Sequence, residues 1–473
     1  MEAPEDRGQG RPRRLRNAGA VGSHLSMVVA LCWWGLFLTY HSGGRDRWML
    51  TLAIPVALVA LVASRPWAFV STRLLAVAAG VTVCVVGVCL FTPTHWYAGS
   101  QAATYAYAAA LLVAVRAYAR TERRRTWILG LVLASGVAQF GWAFAYWQRL
   151  GSPSAAMIGR FFWYNQFAAF ELAPAVIGVG LAISAAVPLR LLAGVAAVLG
   201  SAGVVLSTSR ASMALLGLGW LATGSLALLG SSTTRARVRV LLRFVLLGGL
   251  TAATLYLVTG PPFFSHRASP LSATAGRAVG QPVTQNGIYR LDFWHQSLQV
   301  FWRHVPAGAG FGSFGRQSRL IDPHHVHAQF VHNGYLQAFS DGGLLLGVPF
   351  ALACGGALAV VARRCSRAAA RQEYGAVAFS AVGVLLLAVH SGVDFDWSYP
   401  SLMAEIAALV GLVMAWAPGN AAPDGVRFRW RQGLCVVLAA CSLVLAVHAV
   451  SGGWLTNAPQ DPSLSVVAPA SSG

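Results

Sequence analysis

Stretches of almost uninterrupted apolar sequence, each as long as a membrane-crossing helix, recur from about residue 21 to residue 450 and leave this chain few ways to fold. A spanning helix needs about 20 mostly apolar residues, because the hydrocarbon core holds no water to satisfy free backbone groups. Thirteen segments meet that need, at about 21 to 41, 48 to 64, 74 to 92, 102 to 119, 127 to 147, 168 to 187, 189 to 206, 211 to 230, 240 to 259, 334 to 362, 375 to 391, 402 to 417 and 433 to 450. The pair around Pro188 is short-linked, and the segment after Trp430 reads equally as an addition to a twelve-span core. The expected fold class is therefore an all-α integral membrane bundle of about 12 to 13 spans. Composition agrees: 56% of residues are hydrophobic and only 11% charged, against about 25% charged in soluble domains.

The formal charge of +20 would suit nucleic acid, but its distribution argues for topology instead. All 35 basic residues are arginines. Five (Arg7, Arg11, Arg13, Arg14, Arg16) precede the first span and five (Arg116, Arg120, Arg123, Arg124, Arg125) follow the fourth. Further groups fall at 235 to 243, 363 to 371 and 427 to 431. These loops share one side, and the positive-inside bias makes that side cytoplasmic. The loops near 93 to 101, 149 to 167, 260 to 333 and 392 to 401 then lie outside, and no nucleic-acid partner is expected. The basic start and first apolar stretch lack a small-residue cleavage site and read as an uncleaved anchor. Seven cysteines lie in spans or, for Cys365, in a cytoplasmic loop, which argues against a structural disulfide.

The expected organisation is a basic cytoplasmic segment at 1–20, spans at 21–259, a long outer loop at 260–333, spans at 334–450 and a Pro, Ser and Ala-rich tail at 451–473 that reads as disordered. Short loops merely connect, whereas a loop of this length is where function concentrates. Between Tyr289 and Trp302 the apolar residues Leu291, Trp294, Leu298 and Phe301 recur every three or four positions. That spacing predicts an amphipathic helix at the outer surface, with Arg290 near its start and Pro306 beyond its end. The stretch from Gly308 to Gly315 reads as a tight turn, since it fits neither phosphate-loop nor dinucleotide spacing.

Arg210 runs against the charge bias. It sits at the outer edge between two apolar spans, where an ionisable group is costly and marks a ligand or ion pathway unless it merely snorkels. Arg290 is placed to reach the same vestibule, although alone it reads as a surface charge. Two guanidinium groups there would suit a diphosphate, which they bind in bidentate pairs while staying charged. His332 opens the tenth span in Val331-His332-Asn333-Gly334-Tyr335-Leu336-Gln337 and is a candidate general base or, more simply, a cap.

His324, His325 and His327 precede it, but the spacing fits no helical zinc motif and neighbouring arginines repel a divalent ion, so no metal and no cofactor is expected. Asp394 and Asp396 either hold acceptor hydroxyls or pair with the arginines. Asn165 and Glu171 lie at the start of the sixth span beside Phe161, Phe162, Trp163 and Tyr164, aromatics that suit an interface belt or a sugar ring.

In order along the chain these motifs resemble the O-antigen ligase and polymerase family of polytopic glycosyltransferases, from about residue 150 to 415. Gly159 to Ala168 looks like its Gly-x-Phe-x-Asn-x-Asn-x-x-Ala segment, with Tyr164-Asn165-Gln166 replacing part of it. Ser209-Arg210-Ala211 looks like its outer arginine. Arg290 to Trp294 followed by Pro306 to Gly310 is similar to its Arg-x-x-x-Trp and Pro-x-Gly-x-Gly pair. His332-Asn333-Gly334-Tyr335-Leu336 resembles its His-Asn-x-Tyr-Leu signature, the most specific of the set.

The resemblance implies a GT-C-like helical bundle with a large extracytoplasmic loop in the cell membrane. It further implies a metal-independent transferase that moves a glycan from undecaprenyl diphosphate to a glycan, lipid or peptide acceptor. Its site residues would be His332 as base, Arg210 and Arg290 on the diphosphate, and Asn333, Tyr335, Asn165 and Asp394 around the substrate. A polymerase of the same family and a solute transporter are the competing readings. The transporter is disfavoured because the distinctive charges crowd one membrane edge and no half repeats the other.

Overall fold

The computed structural model describes residues 13–40, 47–92, 99–150, 156–161, 163–184, 189–260, 263, 283–323, 326–370, 375–416 and 425–451. The expected basic start before residue 13, His324 and His325, Phe162, nearly all of 261–282 and the tail after 451 lie outside them. The longer helices are α1 (Arg13–Cys32), α2 (Arg47–Ser64), α3 (Thr72–Phe91), α4 (Gly99–Tyr118), α5 (Glu122–Leu150), α6 (Tyr164–Ile183), α7 (Arg190–Ser207), α8 (Arg210–Leu229), α9 (Thr234–Val258), α10 (Val283–Arg303), α11 (Phe314–Ile321), α12 (Gly334–Ala370), α13 (Ala376–Ser391), α14 (Pro400–Ala415) and α15 (Gly425–Ser451). No strand occurs among the described residues.

A helix lies over each of the thirteen apolar segments. Eight are long and apolar enough to cross a membrane, and four more, at 21–37, 49–64, 376–391 and 400–415, are apolar but shorter. The helix at 99–118 falls in neither group, because its polar first turns dilute an otherwise apolar sequence. The chain is an all-α integral membrane protein.

Helix α6 is the axis of one half of the bundle. Beyond the polar Asn165, Gln166 and Glu171 it is apolar on every face, and its membrane-length window is wholly buried. Small residues let its neighbours approach: a Cβ on Gly178 would fall 2.6 Å from Ala193 O on α7, and one on Gly180 would fall 2.3 Å from the Phe379 ring on α13. Lipid supplies no hydrophobic drive between helices, so this close small-residue packing takes its place. In the other half α4 plays the same part against α2 and α14. Helix α9 is peripheral: Leu242, Val245 and Leu246 project from it to where acyl chains would be.

The bundle has two chemically distinct ends. At one, arginines collect with few acids: Arg116 lies near enough to Arg364, and Arg243 to Arg190, for their charges to repel. At the other, the chain after α9 folds back as α10, α11 and the connection to α12. Helix α10 covers the segment read as amphipathic, starting six residues before Tyr289, but Leu291 and Leu298 of the expected stripe are exposed. It buries Phe293 and Val300 against Ala309, Phe314 and Val331 in a small core of its own.

The glycine stretch after Pro306 is a docking loop rather than a free turn. Helix α12 breaks at Gly343 (φ 57, ψ −145), and the loop takes up the backbone groups the break releases. Ala309 N donates to Ser340 O (3.0 Å), Gly310 N to Asp341 O (2.9 Å), and Leu344 N to Pro306 O (2.8 Å). Both the left-handed φ and the contact require glycine, since a Cβ on Gly343 would lie 2.2 Å from Pro306 O.

Candidate functional site

Asp394, between α13 and α14, is the centre of the arginine-poor end. It is almost fully buried, and both oxygens are engaged. Asn165 Nδ2 donates to Oδ2 at 2.8 Å, Gln166 Nε2 to Oδ1 at 3.0 Å, and Phe395 N to Oδ1 at 2.9 Å. Arg290 Nη2 pairs with Oδ2 at 3.4 Å, and His332 Nδ1 lies 3.3 Å from Oδ1, out of line for a hydrogen bond. One carboxylate thus gathers residues from α6, α10 and the start of α12. Burial alone would push Asp394 up, but His332, His390 and Arg290 around it win, holding it well below the usual carboxylate range.

His332 is held in a strained pose. Its φ of 54 is in the left-handed region, uncommon for any residue with a Cβ and costing on the order of 1 to 3 kcal/mol. Several contacts enforce it. Trp294 Nε1 donates to His332 O at 3.2 Å, the Phe293 ring stacks on the imidazole at 5.7 Å, and Phe395 meets it edge-on at 4.8 Å. The next residue fixes the helix start, as Asn333 Oδ1 accepts from Leu336 N at 3.0 Å while its Nδ2 donates to Gly392 O at 2.9 Å. Strain of this kind persists only where the surroundings over-determine it, and it gathers at functional sites.

Arg210 occupies the first position of α8, just after Thr208, itself left-handed (φ 61). A cation at a helix N-terminus opposes the helix dipole, whereas an anion there is favoured. Its Nη1 is buried without a hydrogen-bond partner. Two residues on, Ser212 Oγ lies 3.1 Å from His390 Nε2, and His390 Nδ1 lies 2.7 Å from Asp396 Oδ2. Ser209 Oγ donates to Ser212 Oγ at 3.0 Å, and Ser391 Oγ to Asp396 Oδ2 at 3.1 Å. This buried chain couples the start of α8 to the end of α13 and to Asp396, two residues from Asp394.

The sequence-predicted residues thus divide into two sets. Arg210, Arg290 and His332 keep free bonding capacity, and the latter two remain 29% and 21% exposed. Asn165, Asn333, Tyr335 and Asp394, expected around a substrate, spend their side chains on the protein itself. The Tyr335 hydroxyl donates to Ala388 O at 2.9 Å. Glu171, expected at the start of its span, lies two turns inside α6 and is fully buried with neither oxygen hydrogen-bonded. Gln166, Phe293, Trp294, Ser212 and His390 also make contacts in this cluster, and none of them is among the candidate residues read from the sequence. His390 was discoverable, as an ionisable residue inside a span close to Asp394-Phe395-Asp396.

The fold and this cluster define a multi-pass membrane protein with an arginine, histidine and aspartate site at one end of its bundle. Residues 195–351 match the model of a family described as O-antigen ligase. The matched segment runs from α7 into α12 and carries Arg210, Arg290, His332, Asn333 and Tyr335, whereas Asn165 and Asp394 fall outside it. No curated protein matches the chain.

Proposed function

We propose that the chain is a metal-independent glycosyltransferase that moves a glycan from undecaprenyl diphosphate to an acceptor hydroxyl at the outer face of the cell membrane. The carrying observation is the unequal use of side chains around Asp394: the acceptors and donors that bind the protein are spent, and the free ones are two arginines and one histidine. A diphosphate leaving group needs fixed cations, and guanidinium groups bind its oxygens bidentately. Arg290 offers what Asp394 leaves unpaired, and Arg210 offers Nη1 at the amino end of α8.

His332 takes the acceptor proton as the hydroxyl attacks the anomeric carbon. The bond from that carbon to the diphosphate oxygen breaks, and its electron pair leaves with undecaprenyl diphosphate. Asp394 stands on the Nδ1 side of the ring, so it orients the imidazole and offsets the charge that develops as the other nitrogen is protonated. The arginine-rich end faces the cytoplasm, and Asp394 and its neighbours face outward.

Ligase and polymerase differ only in the acceptor. The test is transfer by purified protein in detergent from an undecaprenyl-diphosphate-linked glycan, with wild type compared against His332→Ala. Transfer lost by at least a hundredfold in the variant is expected. Full transfer by His332→Ala would end the assignment, and solute flux in liposomes without transfer would favour a transporter.

A further inference from the structure

A cavity whose lining does not include Asp394 lies between α3, α4, α12 and α14, with a volume of about 590 Å³. It exists because α12 packs on α3 and α14 but stands off α4. Its walls facing that gap are small, with Ala108 and Ala109 on α4 opposite Ala353, Gly356 and Ala357 on α12. It opens sideways, since Val77 and Leu352 line it and are 45% and 72% exposed. The occupant of such a gap in a membrane meets acyl chains along its length.

The two ends of the cavity differ. Trp397, Tyr105 and Phe350 close it on the side of Asp394, with the Phe350 and Trp397 rings 4.9 Å apart. Arg73, Arg116, Arg363 and Arg364 line the other end, and among the described residues no acidic side chain lines any part of it. From Phe350 to Arg364 the helix rises about 21 Å at 1.5 Å per residue. That exceeds half of a ~30 Å hydrocarbon core, so one acyl chain fits lengthwise with its headgroup at the arginines. Four uncompensated cations at the mouth of an apolar cleft select an anion, and guanidinium groups suit a phosphate.

We infer that this cleft binds an anionic phospholipid of the leaflet at the arginine-rich end, its phosphate on Arg116, Arg364 and their neighbours and one acyl chain along the small-residue wall. The site is separate from that of Asp394 and does not depend on the reaction assigned there. The apolar length explains why a free phosphate is a poor occupant, and the charge explains why a zwitterionic lipid is.

The experiment uses the full-length protein in mild detergent, offered equal amounts of phosphatidylglycerol and phosphatidylcholine, with bound lipid read by native mass spectrometry. Phosphatidylglycerol is expected to be retained at least tenfold over phosphatidylcholine. The double variant Arg116→Gln/Arg364→Gln is expected to lose that preference. Gly356→Phe fills the cleft, and because a Cβ there meets nothing within 4 Å it tests the site without touching the packed bundle. It is expected to lose the lipid while eluting as a folded protein. Equal retention of the two lipids by wild type would overturn the inference, and so would unchanged phosphatidylglycerol binding in Gly356→Phe, even if the arginine variant fails to fold.

Discussion

Asp394→Asn removes one charge and almost no volume, and so isolates what the carboxylate does. Two opposite charges 3.3 Å apart interact by about 5 kcal/mol at an effective dielectric of ~20. Partial solvent access to the imidazole screens this, leaving about 2.5 kcal/mol for the imidazolium formed as His332 takes a proton. That is about a 70-fold fall in the rate of transfer, since each 1.36 kcal/mol is a factor of ten. The asparagine amide also turns a donor toward donors, because Asn165, Gln166 and the Phe395 N–H all point at this group. Asp394→Glu keeps the charge but displaces it, and is expected to recover only part of the rate. The assay is single-turnover transfer from saturating lipid-linked donor, with gel filtration and thermal unfolding to show that the variant is folded. A folded Asp394→Asn protein within threefold of wild type would refute both the electrostatic role of Asp394 and the placement of His332 as base.

Arg290→Lys keeps a positive charge but loses the planar fork, so transfer is expected to fall by about tenfold or more, and Arg210→Ala by about a hundredfold, in the same assay. Gly343→Ala forces a Cβ to 2.2 Å from Pro306 O at a left-handed position, and is expected to cost about 3 kcal/mol or more. It should lower the thermal midpoint by several degrees, and an unchanged midpoint would show that the docking loop is dispensable. Asp394 is held below its ordinary value of 3.8, so the stability it contributes is fully present above that pH and is lost as pH falls through its lower folded value. The difference in thermal midpoint between wild type and Asp394→Asn is therefore expected to be constant from pH 5 to 8 and to narrow only in strong acid; a gap that closes by pH 5 would contradict this.

The membrane class and the position of each apolar helix were legible because both follow from local sequence: a run of apolar residues must be helical in lipid, and the arginine groups mark one end of the bundle. The amphipathic α10 was legible for the same reason, since its period is written in Leu291, Trp294, Leu298 and Phe301. What the sequence hides is who faces whom. Asn165 and Asp394 are 229 positions apart, and nothing local says that the amide of one satisfies the carboxylate of the other. Asp394, Asn165, Asn333 and Tyr335 read as substrate contacts, and the fold adds that each also has an intramolecular partner. The glycines at 308 and 310 read as a tight turn, and only the fold shows that they fill the break in α12 at Gly343.

These hidden partnerships set the character of the site. His332 holds a left-handed backbone that its own residue type disfavours, Arg210 stands where a helix dipole opposes it, and Asp394 is a charge nearly devoid of water. Each is unfavourable alone. Together Asp394 offsets Arg290 and faces His332, while the His390 and Asp396 chain ties the start of α8 to the same corner. Arg210 Nη1 is a buried guanidinium donor without a hydrogen-bond partner, so the assembly leaves one positive group without a counter-charge. An anion brought to Arg210 completes it, and binding of a diphosphate lipid should therefore stabilise the folded protein by more in wild type than in Arg210→Ala, a difference that ligand-dependent thermal midpoints read directly.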